Sequence, residues 1–136
     1  MKILFPALLL LFVASCSSPV KMMCNTWKVD DVQFLDSLNT FTPAQKEMLT
    51  KSIKTTLVFT FSADSSYQVR SSGEVHNNKW WLVTTKNGKL FYTTTPEGKI
   101  AEAKILELKK NYLQFESAGE ENQSFRFTCS PIPAKK

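Results

Sequence analysis

The stretch Trp80-Trp81-Leu82-Val83-Thr84-Thr85-Lys86-Asn87-Gly88-Lys89-Leu90-Phe91-Tyr92-Thr93 decides the fold. Two runs rich in aromatic and β-branched residues flank Asn87-Gly88, a dipeptide that accepts the positive φ angles of a tight turn between antiparallel strands. Working outward, the chain keeps the same pattern on both sides: short alternating apolar segments, cut by turn residues about every eight to twelve positions. Towards the C-terminus, Pro96-Glu97-Gly98 leads into strands over Ile100 to Leu108, Tyr112 to Ser117 and Ser124 to Cys129, joined by Lys109-Lys110-Asn111 and by Gly119 to Asn122. Towards the N-terminus, Gly73 to Lys79 reads as a polar connection. Tyr67 and Val69 mark the strand before it, and Ser62-Ala63-Asp64-Ser65 turns the chain out of Leu57, Phe59 and Phe61.

The first strand covers Asn25 to Phe34, and a slip in its alternation at Asp30-Asp31 predicts a bulge. Between the first and second strands, Thr42-Pro43-Ala44-Gln45 has the N-cap, the N1 proline and the capping-box glutamine of a helix start. Met48, Leu49, Ile53 and Phe41 share an apolar face of that helix, Lys46, Glu47, Lys51 and Lys54 stay wet, and the helix is expected over one barrel opening. The fold expected is mainly β: an eight-stranded antiparallel meander barrel with one short helix between the first and second strands. Eight strands close around side chains or one small ligand, and closure removes exposed edges. An open two-layer sandwich is the alternative.

Of the 136 residues, 43% are apolar and 21% charged, which fits one globular domain and excludes disordered or collagen-like chains. The apolar total is raised by a run from Ile3 to Val13 that follows Lys2, is too short for an ordinary membrane helix, and ends in small residues, as a secretory signal does. Val13-Ala14-Ser15-Cys16 closes it and resembles the lipobox of bacterial lipoproteins. That resemblance implies cleavage before Cys16, acylation of its thiol and new amino group, and firm attachment by several acyl chains. An ordinary cleavage site with a chance cysteine is the other reading. The expected organisation is a signal over 1–15, a lipidated tether over 16–23, a domain over 24–130 and a tail over 131–136. The expected address is the bacterial cell envelope, at the periplasmic face of the outer membrane.

Assigning Cys16 to lipid leaves Cys24 and Cys129 as a pair, whose bridge would close a loop of 105 residues (24 to 129). The chain-entropy value for a loop of that length is about 4.7 kcal/mol, and an oxidising periplasm permits the bond. Two free thiols too far apart to meet are the alternative. Loss of residues 1–15 removes Lys2 alone from the charged set, leaving 16 Lys and Arg against 12 Asp and Glu, a formal +4. The surplus is scattered, and its pairs Lys109-Lys110 and Lys135-Lys136 lie in no aromatic-interleaved stripe, so no nucleic acid is expected.

With the strands placed, the chain from Cys24 to Cys129 resembles the lipocalin-like domains of small bacterial lipoproteins. The marks are Asn25-Thr26-Trp27-Lys28 where such domains open with Gly-x-Trp, Leu57-Val58-Phe59-Thr60-Phe61 before Asp64-Ser65-Ser66-Tyr67, Trp80-Trp81-Leu82 in the middle strand, and Ile105-Leu106-Glu107-Leu108 leading to Leu113-Gln114-Phe115. Asn25 and Ser65 stand where the pattern has glycine. The resemblance implies that Trp27 closes the barrel floor with a basic side chain over its ring, for which Arg126 is the candidate, by a cation–π contact of roughly 0.5–2 kcal/mol. A solvated arginine outside the barrel is the alternative.

No catalytic constellation emerges. His76, the sole histidine, sits in a polar stretch without partners at nucleophile or metal-ligand spacing. There is no Gly-x-Ser-x-Gly elbow and no Gly-rich phosphate loop, and Asp30, Asp31, Glu120 and Glu121 fall in bends where acidic pairs are normally solvated. The chain reads as a binder, not an enzyme, with no metal and no cofactor. Alternation turns Phe59, Phe61, Tyr67, Trp80, Tyr92, Phe115, Phe125 and Phe127 inward, either as a filled core or as the lining of a cup in which Tyr67 and Tyr92 supply polar contacts. Alternation admits two phases, one with Trp80 and Leu82 inside alongside Leu90 and Tyr92, leaving Trp81 and Phe91 exposed, and one with Trp81 and Val83 inside; resemblance to the family's Trp-x-Leu strand implies the first. The expected partners are a membrane through a lipid anchor and a small apolar ligand, for a chain acting as a monomer. The alternative is a filled barrel that docks on a protein as an inhibitor or accessory lipoprotein.

Overall fold

The computed structural model describes residues 18–35, 41–118 and 124–133. The span 1–15 expected as a signal, Cys16, Glu120, Glu121 and Lys135-Lys136 lie outside the described residues. Eight strands follow in chain order: β1 (Thr26–Phe34), β2 (Val58–Phe61), β3 (Ser66–Ser71), β4 (Glu74–Thr85), β5 (Gly88–Thr94), β6 (Ile100–Lys109), β7 (Tyr112–Ala118) and β8 (Ser124–Pro131). Each pairs antiparallel with the next, and β8 pairs with β1, so the meander closes into a barrel. The β1–β8 ladder slips between Val29 and Asp31, which is the bulge the aspartate pair marks.

Strand direction gives the barrel two ends. The floor gathers the start of β1, the end of β8 and the hairpins β2–β3, β4–β5 and β6–β7; the mouth gathers the end of β1 and the hairpins β3–β4 and β5–β6. At the floor, Met23, Trp27, Leu113 and Cys129 are completely buried, and Trp27 Nε1 donates to the Met23 carbonyl at 3.0 Å. Above them the core is aromatic. Phe61 meets Trp80 and Phe91 edge-on at 5.1 and 5.4 Å, and Phe115 lies 5.1 Å from Phe91 and 5.3 Å from Phe127. Such offset and edge-to-face pairs add about 0.5–1.5 kcal/mol each beyond area burial.

Several sequence expectations need correction. Residues 74–79 are not a connection but the first half of β4. Ser72 and Gly73, at φ of 51° and 86°, form the tight turn, and backbone pairing from Ser71–Glu74 to Ser66–Lys79 sustains the strand although its side chains, Val75 excepted, are polar and mostly exposed. Within the span 16–23 expected as a tether, Pro19–Met23 forms a helical turn, α1, capped by Ser18, and its last residue is core. The barrel also runs past residue 130: Pro131 pairs with Trp27, and the Ile132 amide donates to the Thr26 carbonyl at 2.7 Å.

Cys24 and Cys129 are free thiols. Cys129 lies opposite Val29, five residues further along the chain than Cys24. At about 3.3 Å per extended residue, that offset exceeds the roughly 7 Å limit between the Cα atoms of a bridge. The helix α2 (Pro43–Thr56) has the expected capping box, with Gln45 N donating to Thr42 Oγ1 at 3.1 Å and Thr42 N to Gln45 Oε1 at 2.8 Å. It packs mainly on β1 and does not bury its whole apolar face: Ile53 reaches the core, while Met48 is 73% exposed and Leu49 36%.

Candidate binding site at the barrel mouth

The mouth opens into a hollow of about 190 Å³ lined by Leu57, Phe59, Tyr67, Phe91, Phe115 and Phe127, with Thr93, Ala101, Glu102, Ala103 and Ser117 completing its wall and rim. The space exists because β6 contributes Ala101 and Ala103 where neighbouring strands contribute rings. A cavity of about 150 Å³ accommodates benzene. The hollow is therefore of monocyclic size, below the roughly 300–1,000 Å³ typical of drug-sized ligands.

Its wall carries one deep polar group. Tyr67 is 8% exposed, and burial, reinforced by the nearby Cys129 thiol, holds its phenol far above the usual range. A phenol so held stays protonated and can donate one hydrogen bond to a ligand. The Cys129 thiol is pushed up to about 12, first by burial and then by Asp30, so it is a neutral core group and not a nucleophile.

Of the residues expected to bind ligand, Phe59, Tyr67, Phe115 and Phe127 come together at the hollow. Phe61 and Trp80 point inward but sit deeper, where Trp80 Nε1 donates to the Ser62 carbonyl of the β2–β3 turn at 2.9 Å. Tyr92 is a correction. It lies outside the barrel, stacked on Trp81 at 5.6 Å with its hydroxyl 3.4 Å from Glu102, while Phe91, expected outside, is 3% exposed in the core. Residues directly opposite one another share a face, and the register sets Leu82 against Phe91 and Trp81 against Tyr92.

Arg126 is the second correction. It lies on the outer face opposite Gln33, six residues along β1 from Trp27. Its Nη2 and Nε donate to Glu116 Oε1 at 2.7 and 3.2 Å, and Nη1 donates to Gln33 at 3.1 Å. A guanidinium engaged in this way has no reach to the floor, where α1 and Met23 cover Trp27 instead. Phe91, Ala103 and the rim residues were missed as lining. His76 stands exposed on β4, 3.5 Å from the Glu74 carboxylate.

No protein family and no curated protein matches the chain. Among solved structures, an odorant-binding protein from bovine nasal mucosa is similar over 90% of this chain and 79% of its own, with a TM-score of 0.47 and 9% identity. A bovine odorant-binding protein in complex with its natural ligand is similar over 85% and 74%, with a TM-score of 0.45 and 9% identity. The closed strand order, not these likenesses, establishes the up-and-down barrel architecture that lipocalins share.

Proposed function

We propose that the chain is a lipoprotein of the bacterial cell envelope, anchored through Cys16 at the periplasmic face of the outer membrane, whose barrel mouth binds a small apolar molecule. The observation that carries the binding reading is an apolar hollow of about 190 Å³ at the barrel mouth, walled by aromatic rings that include the buried phenol of Tyr67. An apolar wall with one placed donor is the usual design of a small-molecule site. The lipobox-like Val13-Ala14-Ser15-Cys16 supports the anchor.

Titration of the mature protein with benzaldehyde, toluene and palmitate tests the reading by calorimetry. Benzaldehyde and toluene are expected to saturate one site, and palmitate is not, because its chain exceeds the hollow. Ala103→Leu should fill the space and abolish binding. Tyr67→Phe should weaken benzaldehyde about five-fold, the worth of one neutral hydrogen bond, and leave toluene unchanged. Absence of saturable binding by either aromatic would overturn it.

A second reading, docking on a protein, is favoured by the outer groove of about 430 Å³ that Phe41, Gln45, Met48, Leu49 and Ser52 form on α2. Loss of a co-purifying protein on Met48→Asp, with no aromatic binding by the parent chain, would select it.

A further inference from the structure

We infer that the barrel floor is a contact surface for anionic lipid headgroups of the bilayer that holds the chain. This rests on the proposed acylation of Cys16. The first argument is reach. Ser18 caps α1, and α1 is fixed to the floor by Met23, which is completely buried and accepts the Trp27 hydrogen bond. Only two peptide units separate Cys16 from Ser18, and they span at most about 7 Å. An acyl group on Cys16 therefore keeps the floor within about one Debye length, roughly 8–10 Å, of the headgroups. The mouth and its hollow then face away from the membrane, open to solutes.

The second argument is charge. The floor hairpins present Lys86 and Lys89 from β4–β5 and Lys109 and Lys110 from β6–β7, and α1, which packs on β6, adds Lys21; Pro19 and Met22 line one groove with Lys89 and Leu106. Against these stand Asp64 in the β2–β3 turn and Glu107, and Glu107 is 3.1 Å from Lys109. Val20, Leu106 and Ile132 are exposed apolar residues at the same end. Lysines ringing a few exposed aliphatic side chains suit an anionic bilayer interface, where each basic group near the surface is attracted. The two mouth hairpins are instead balanced in charge, with Arg70 and Glu74 on either side of the β3–β4 turn and Glu97 close to Lys99 in the β5–β6 turn.

Mature protein extracted from its own cells, with its intact mass recorded, tests the inference. It is reconstituted into vesicles of phosphatidylcholine alone or with roughly three parts in ten of phosphatidylglycerol, and exposed lysines are labelled with a membrane-impermeant amine reagent. In anionic vesicles, labelling of Lys86, Lys109 and Lys110 should fall about three-fold relative to Lys51 and Lys54 on α2, and about 0.5 M salt should restore it. Lys21 and Lys89 should lose their protection when Lys86, Lys109 and Lys110 are all changed to Gln. Equal labelling at floor and mouth, or equal protection in neutral vesicles, would overturn the floor contact while the anchor stands. A mass without lipid on Cys16 would overturn the anchor, and the floor contact with it.

Discussion

Trp27 is where the barrel's closure is most open to attack. Its ring is completely buried, and its Nε1 donates 3.0 Å to the Met23 carbonyl, the bond that seats α1 on the floor. Aromatic-to-alanine truncations in cores cost about 3–5 kcal/mol, and full burial puts this site in the upper half of that range. The stranded Met23 carbonyl adds about 1 kcal/mol. Trp27→Ala is thus expected to lose about 5 kcal/mol, enough to unfold a domain of ordinary stability. Trp27→Phe is the measurable variant: it keeps most of the ring, deletes the donor, and should cost about 2 kcal/mol. With a urea m-value of about 1.5 kcal/mol/M, that moves the midpoint down by about 1.3 M without changing m. Hydrogen exchange should show the same event locally, since the Met22 and Cys24 amides, which donate to the Ser18 and Val20 carbonyls, lose protection before the strands do. A midpoint shift under about 0.3 M with unchanged exchange at Met22 and Cys24 would refute the floor as described.

Phe91→Ala is expected to destabilise by about 3–5 kcal/mol, and its neighbour Tyr92→Ala by about 1 kcal/mol or less, in paired urea melts; comparable losses would mean the β4–β5 faces are reversed. Stability should fall as pH rises through about 9 to 12, because the unfolded chain releases the Cys129 and Tyr67 protons near 8.5 and 10 while the folded barrel holds both. The contribution is complete below about pH 8, and melts at pH 8 and 10 should differ less in Cys129→Ala than in the parent. Ser65, at φ 71°, occupies the left-handed region, so Ser65→Gly should stabilise by up to about 1 kcal/mol, read as a higher midpoint.

Much of the barrel was legible because its determinants are local. The Thr42 to Gln45 capping box and the Asp30-Asp31 slip each fix a cap or a bulge through nearest neighbours and lie where the alternation puts them, while the β4–β5 turn falls one residue earlier than Asn87-Gly88, at Lys86-Asn87, with Gly88 at φ 126° opening β5. What was not legible depends on distant pairing. The polar half of β4 has no apolar rhythm to announce it, because its strand character comes from backbone bonds to β3. Met23 reads as tether until Trp27 is seen to donate to its carbonyl. The offset of Cys24 from Cys129 follows from the β1–β8 register, which no count of cysteines contains.

The site shows the same divide, with one exception that the sequence did contain. A two-residue turn joins strands so that the position numbers of facing residues always sum to an odd number. Even-numbered residues of β4 therefore share a face with odd-numbered residues of β5, whichever two residues form the turn. Once Trp80 and Leu82 are set inside, Phe91 must be inside and Tyr92 outside, as the pairing of Leu82 with Phe91 shows. An inward set of Trp80, Leu82, Leu90 and Tyr92 was inconsistent with the hairpin that decided the fold. The hollow itself had no such signal. It depends on Ala101 and Ala103 of β6 facing the rings of Phe59, Phe91, Phe115 and Phe127, a conjunction of five strands set by closure. Its size follows from the same conjunction: aromatic side chains pack beneath it, and β6 supplies methyl groups where its neighbours supply rings.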